Sequence, residues 1–255
     1  MTTVDKALLR KQCDEKLNQL IEEFYKNIPG AKYQKESTEI NLDYFKRHTI
    51  ETILRIRHKR MIDALVIFHF TKTNPRAAKM WAEYIEDEML HGNMFARDLE
   101  KQFGLTMDDI LQYEPLFSTK LLNGYFYFTL EHEGPMAAIA SAYFLEYTTR
   151  HTQPDWLDNL EKVFGEDTVR GARGHVDHDI KDNHSEFVWT VLMETVQTEE
   201  DVRQLEKHID HIYGLFCAYF LDVHQETIGK NTTVKQSVPA AAVSYAFNTT
   251  VSHHD

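Results

Sequence analysis

Residues 174–187 read Gly174-His175-Val176-Asp177-His178-Asp179-Ile180-Lys181-Asp182-Asn183-His184-Ser185-Glu186-Phe187, and this stretch decides how the chain is understood. Val176, Ile180, Phe187 and, further on, Val191 recur at helical spacing and form one apolar face. At about 100° per residue, His175, Asp179, Asp182 and Glu186 fall within a wedge of roughly 60° beside that face. On a continuous helix His184 projects into the apolar face and His178 points away from its centre. Three acids and a histidine on one wedge repel one another unless a cation neutralises them, which a divalent metal does. A solvated acidic face satisfies the same pattern, so both readings stand at this point.

Two more segments carry the same kind of residue. Between Trp81 and Phe95, an aromatic stripe of Trp81, Tyr84 and Phe95 also holds Glu88 and His91, three residues apart. Glu-x-x-His is the spacing by which one helical turn aims two ligands at one metal position in helical bundles. The same spacing is common on exposed helix faces, and Glu86 and Asp87 are expected to face water. Between Ala137 and Arg150, Ile139, Ala142, Tyr143 and Glu146 share a face, and small residues at 137, 138 and 140–142 permit close helix approach. A carboxylate on so apolar a face needs a partner. Arg150, one turn on, or a metal would serve. Together Glu88, His91, Glu146, His175, Asp179 and Asp182 offer carboxylate and imidazole ligands without cysteine. That set argues against structural zinc and for one or two non-haem iron ions, or manganese, with O2 as co-substrate.

The rest of the chain supports a helical setting. Only 10 Gly and 6 Pro occur in 255 residues, and no stretch alternates with period two, so the expected fold class is all-α. The pattern predicts helices over about 5–27 and 42–71, one opened by Asn74-Pro75 and running to Gly104, and a short one capped by Thr106 and Asp109. Others follow over about 115–132, 135–152, 155–164, 167–196 and 199–228. Residues 1–230 read as a single domain. Residues 231–255, rich in Thr, Ser, Ala and Val, read as a tail that is disordered or laid over a neighbouring surface. A net charge of −12 disfavours nucleic acid and anionic membrane as partners. No apolar run reaches 18 residues, and the polar start MTTVDKALLRKQ lacks a signal-peptide core, so a cytoplasmic location is expected. Cys13 and Cys217 form no metal or redox motif and are expected to be buried free thiols.

With these segments in place, the chain resembles the haem-oxygenase-like di-iron oxidases, most closely the branch of the Chlamydia protein associating with death domains. The likeness runs from about Leu42 to about Asp222. It is carried by Ile85-Glu-Asp-Glu88-Met-Leu-His91, by Gly104-Leu-Thr-Met-Asp-Asp-Ile-Leu111 with Tyr113-Glu-Pro115, by Ala142-Tyr143-Phe-Leu-Glu146 with Phe164-Gly165, and by His175-x-x-x-Asp179-x-x-Asp182. It implies a compact helical bundle of haem-oxygenase-like (TenA/CADD) type and, by analogy of fold, a homodimer. It also implies metal ligation by Glu88 and His91, by Glu146, and by His175 and Asp179. The family places a histidine three residues after the Asp, where this chain has Asp182. His178 and His184 are candidates to replace it, against which continuous-helix geometry argues. Family members use O2 for N-oxygenation, oxidative C–C cleavage, or conversion of an internal tyrosine to p-aminobenzoate. The close relatives of that last kind carry a lysine ten residues past the central Glu, where this chain has Trp156, and p-aminobenzoate chemistry is not expected.

The function expected is therefore an O2-dependent non-haem iron oxidase or oxygenase acting on a small organic molecule such as an amino or fatty acid. Tyr84, Tyr143, His69 and Phe70 are candidate pocket residues, and Tyr25 is a candidate for the family's sacrificed tyrosine. Three alternatives remain in view. A thiaminase-like activity needs an active-site Cys in a motif that neither Cys13 nor Cys217 matches. Haem needs an axial His on the first helix, and the first 40 residues contain none. A non-catalytic helical interaction protein would leave the acidic wedges solvated.

Overall fold

The structure, a computed structural model, describes residues 4–36 and 40–231. Among them there is no strand. The described residues form eleven α-helices: α1 Lys6–Asn27, α2 Ala31–Glu36, α3 Leu42–Thr73, α4 Pro75–Glu88, α5 Gly92–Phe103, α6 Met107–Ile110, α7 Phe117–His132, α8 Met136–Phe164, α9 Arg170–Asp182, α10 His184–Leu192 and α11 Glu199–Glu226. Two 3₁₀ turns, Glu166–Thr168 and Gly229–Asn231, complete the described residues. The expected C-terminal tail lies outside them, Asn231 excepted. None of these helices is long and apolar enough to cross a membrane.

The helix α8 lies at the centre. Ala137, Ala138, Ala140, Ser141 and Ala142 are all buried, so its first turns are enclosed on every side. The small side chains let α10, α11 and α7 pack closely against it. The main apolar cluster joins this core to α1, α3 and α4, through residues such as Leu17, Val66, Trp81, Val191 and Ile209. Cys13 is buried and Cys217 half-buried, and both are free thiols.

The structure departs from the sequence reading at three places, and two of them shape the site. First, Pro154 does not divide α8, which continues through it to Phe164. There Thr152 Oγ1 donates to the Thr148 carbonyl and His151 Nδ1 lies 2.7 Å from the Tyr147 carbonyl, so side chains support the turn that precedes the proline. Second, the helix expected from Pro75 to Gly104 is cut after Glu88. The backbone tightens there, with His91 N bonding to the Glu88 carbonyl at 3.3 Å and Met94 N to that of His91 at 2.9 Å. In a turn of this type residues three apart lie almost one above the other, which brings Glu88 and His91 together. Third, the helix expected over 167–196 is broken at Asn183, whose φ of 56° and ψ of 46° are left-handed. Asparagine tolerates that conformation better than other residues with a Cβ. The break ends α9 and starts α10 in a new direction.

The start of α9 is held against α5. The Asp98 carboxylate accepts from Gly171 N and Ala172 N, each at 2.8 Å, and caps the helix. Gly171 makes the approach possible, because a Cβ there would lie 2.1 Å from the Met94 carbonyl oxygen.

Candidate metal centre

Four elements converge: the end of α4 with the turn after it, the middle of α8, the middle of α9 and the first residue of α10. They bring Glu88, His91, Glu146, His175, Asp179 and His184 into one cluster. Glu146, Asp179, His91 and His184 are each less than 9% exposed. Acids and imidazoles enclosed to this degree are not the solvated face that the sequence left open.

The cluster is organised by its carboxylates. Glu88 Oε2 lies 2.9 Å from His91 Nδ1, while Oε1 points the other way, 3.3 Å from His184 Nδ1. Asp179 is similarly two-sided, with Oδ2 at 2.6 Å from His175 Nδ1 and Oδ1 at 3.3 Å from His184 Nδ1. Glu146 Oε1 accepts from the Tyr84 hydroxyl at 2.7 Å and lies 3.9 Å from His184 Nδ1. The rings of His91 and His175 have their centroids 4.3 Å apart. Ligand-type atoms of Glu88, His91 and His175 all lie within 4.8 Å of one another, and so do those of Glu88, Asp179 and His184. Glu88 belongs to both triads.

Several of these atoms are close without being bonded. Glu88 Oε1, His175 Nδ1, Asp179 Oδ1 and His184 Nδ1 are buried and have no properly aligned hydrogen-bond partner in the protein. Buried polar atoms are rarely left so, and four in one place suit a shared cation. The same crowding perturbs the titrations. Burial, reinforced by the charges of Asp179 and Glu88, pushes the Glu146 carboxyl up to about 8. Burial also works against the His184 and His175 cations, yet the neighbouring carboxylates outweigh it and raise them to about 11 and about 9. Against the same burial, the imidazoles of His184 and His91 hold Glu88 below the ordinary carboxylate range.

Asp182 is not part of the cluster. The left-handed Asn183 ends α9, so Asp182 turns outward, half-exposed and 3.5 Å from His178 Nδ1. The same turn swings His184 inward, which reverses the expectation from a continuous helix. Glu186, placed on the same wedge by the sequence, points to Arg10 at 3.0 Å instead. Arg150 donates to Asn183 Oδ1 at 3.3 Å and not to Glu146, whose partner is Tyr84. Asp87, expected to face water, is half-exposed but its Oδ2 lies 2.9 Å from both His184 Nε2 and His178 Nε2. It thereby orients the His184 ring with Nδ1 inward, as carboxylates behind metal-binding histidines do.

A cavity of about 230 Å³ adjoins the cluster, bounded there by Glu88, Glu146, His175 and Asp179. Tyr84 and Trp156 line it. Tyr143, His69, Phe70 and Tyr25 do not. Tyr143 sits 60° round α8 from Glu146 and donates to Asp14 while packing on Trp189, so it faces α1 and α10. His69 and Phe70 lie near the far end of α3, with His69 beside Gly134. Tyr25 packs edge-on against Phe24 and lies beneath the Lys35 ammonium.

This architecture is a haem-oxygenase-like fold. A domain of unknown function with that fold from Shewanella denitrificans superposes with a TM-score of 0.74 at 18% identity, covering 89% of this chain and 98% of its own. A TenA homologue from Pseudomonas syringae gives 0.66 at 11% identity, with 85% and 93% covered. A CADD-like protein of unknown function from Nostoc punctiforme gives 0.63 at 14%, with 85% and 99% covered. No curated protein matches the chain. The chain belongs to the family of iron-containing redox enzymes, whose sequence profile matches residues 54–215. All six clustered residues fall inside that span, and their carboxylate and imidazole donors fit iron.

Proposed function

We propose that the protein is an O2-dependent non-haem iron oxidase or oxygenase with two adjacent iron positions, acting on a small organic molecule in the adjoining cavity. Glu88, His91 and His175 would hold one ion, and Glu88, Asp179 and His184 the other, with Glu146 at the second position. The observation that carries the reading is the set of four buried, hydrogen-bond-deficient atoms on Glu88, His175, Asp179 and His184. Bound iron supplies redox activity toward dioxygen.

The chain's own groups do the rest. Tyr84 holds Glu146 in place through its hydroxyl, and Asp87 fixes the His184 ring from the solvent side. Phe95 packs edge-on against His175 and shields it from water. Trp156 stands in the cavity where the p-aminobenzoate producers carry a lysine, so self-sacrificial amine transfer is not part of this proposal.

Anaerobic titration with Fe(II) tests the reading. Wild-type protein is expected to bind two ions per chain, and His184→Ala close to one. Protein that takes up no iron would leave a helical binding module as the better description. A subsequent panel of amino and fatty acids, scored by substrate-stimulated O2 consumption, identifies the substrate.

A further inference from the structure

Arg55, like Arg60, is a cation that lines this cavity and has no ion pair among the described residues. It lies on α3 one turn before Lys59 and two before Asp63, on the face that lines the cavity. Lys59 is neutralised by Asp63 at 2.6 Å. Arg55 has no hydrogen bond or ion pair among the described residues. Glu51, one turn earlier, is the natural partner but is fully taken: Arg47 lies 2.5 Å away, the Thr119 hydroxyl donates at 2.6 Å, and Leu116 N donates at 3.2 Å. The Tyr219 hydroxyl lies 2.9 Å from His48 Nδ1 and donates to the His48 carbonyl.

What Arg55 does contact are aromatic faces. Its guanidinium carbon sits 5.0 Å from the Phe216 ring centre and 5.3 Å from that of Tyr219. Stacking of this kind engages the flat face of the guanidinium and leaves its in-plane N–H donors unused. Burial pulls the group below its ordinary range, yet guanidinium stays charged at any working pH. A half-buried cation with open donors lining a cavity is a ready partner for an anion.

We propose that Arg55 captures the carboxylate of an organic acid and so sets the orientation of the substrate; as a substrate assignment this rests on the reading above. The chemistry of the two ends agrees. At the cluster end Glu88 and Asp179 are already matched by His175 and His184, whereas the Arg55 end offers an unpaired positive charge that attracts a carboxylate. Leu122, Phe126, Phe144 and Phe220 line the cavity with apolar surface that suits an aliphatic chain. The scale also agrees. Lys59, about 6 Å of helix rise from Arg55, reaches to 6.0 Å from the Tyr84 ring, and Tyr84 bonds Glu146. A volume of about 230 Å³ equals roughly eight waters of the bulk liquid, the size of an amino acid or a short fatty acid. The molecule would be held by its carboxylate, with its distal carbon or amine toward the cluster.

Binding to the metal-free full chain separates this subsite from the iron. Hexanoate, hexanamide and hexanol are titrated calorimetrically into wild type, Arg55→Gln and Arg55→Lys, with Fe(II) stoichiometry measured in parallel. Wild type is expected to prefer hexanoate over hexanol by about 30-fold, the scale of charge-assisted hydrogen bonding. Arg55→Gln is expected to erase that preference without changing hexanol affinity or iron uptake, and Arg55→Lys to keep part of it. Equal wild-type affinity for hexanoate and hexanol overturns the proposal even where no variant folds. So does hexanoate binding that needs iron and ignores the Arg55→Gln change. A preference that survives in a chain unable to load iron would instead sink the proposed oxidase function and leave the carboxylate subsite standing.

Discussion

Gly171→Ala tests whether the packing of α9 on α5 builds the metal centre. The added Cβ would lie 2.1 Å from the Met94 carbonyl oxygen, 2.7 Å from its carbon and 3.0 Å from Asp98 Oδ1. Two of these atoms are backbone and cannot swing aside. Restoring a 3.4 Å contact with that oxygen moves the start of α9 away from α5 by about 1.3 Å, which also pulls two N–H groups from the Asp98 cap. Overpacking of this kind costs about 1–3 kcal/mol and cap loss about 1, while alanine returns up to about 1 through helix propensity. A net loss of about 2 kcal/mol lowers the melting temperature of a domain this size by roughly 4–8 °C. His175 and Asp179 ride on α9, one and two turns past the glycine, so iron affinity should fall by about 10–100-fold, as when supporting groups of metal ligands are lost. Thermal melting and Fe(II) titration measure the two effects on the same samples. Gly124→Ala and Gly214→Ala are the controls: no neighbouring atom lies within 4 Å of either new methyl, and each should stabilise its helix by about 0.5–1 kcal/mol. Should Gly171→Ala melt like these controls and load iron like wild type, the claim that close α5–α9 contact positions the ligands is wrong.

Other outcomes follow from the same geometry. Asn183→Gly keeps the left-handed turn and should still load two irons, whereas Asn183→Val puts a β-branched residue there at a cost of about 1–3 kcal/mol and should load close to one; equal loading would dissociate His184 from the turn. In metal-free protein the Glu146 carboxyl holds its proton up to about 8 against an ordinary 4.5, so wild-type stability declines as pH rises between those values. Glu146→Gln cannot ionise; in chelator-treated samples it should match wild type near pH 4.5 and exceed it by about 3 kcal/mol at pH 7, and a gap that ignores pH would contradict this. Iron loading at pH 7 should release protons, because His175 and His184 are held as cations up to about 9 and about 11 and must be neutral to ligate. Calorimetric heats that do not change with the ionisation enthalpy of the buffer would count against ligation by these histidines.

Much of this was legible in the sequence because helical periodicity is a local property. The spacing of Trp81, Tyr84, Glu88 and His91 and the run of small residues before Glu146 follow from backbone geometry that any helix shares. Five of the six candidate ligands come together for that reason. What escaped was the direction of the chain between elements. A uniform 100° per residue places Asp182 and Glu186 on the wedge and keeps His184 off it, but the backbone reverses hand at Asn183. Asn183 was the available signal, since Asn after an apolar-periodic run is a frequent helix terminator. The pocket residues failed differently: Tyr143, His69, Phe70 and Tyr25 are aromatic or imidazole groups on the right helices, but lining a cavity depends on which neighbours arrive, and single-helix periodicity holds no information about that.

Arg55 illustrates the same limit from the opposite side. In the sequence it belongs to a basic group with Arg57, Lys59 and Arg60, which reads as the wet side of α3. Arg57 is indeed exposed, but Arg55 and Lys59 share the opposite face because they are four residues apart. Charge alone does not distinguish the two. The difference lies in the carboxylates within reach: Asp63 pairs with Lys59, while Glu51, one turn before Arg55, is already engaged by Arg47, Thr119 and Leu116. An inventory of acceptors is a tertiary property, and it is this inventory, together with the aromatic faces that stack on the guanidinium, that turns an ordinary surface-type residue into a binding group.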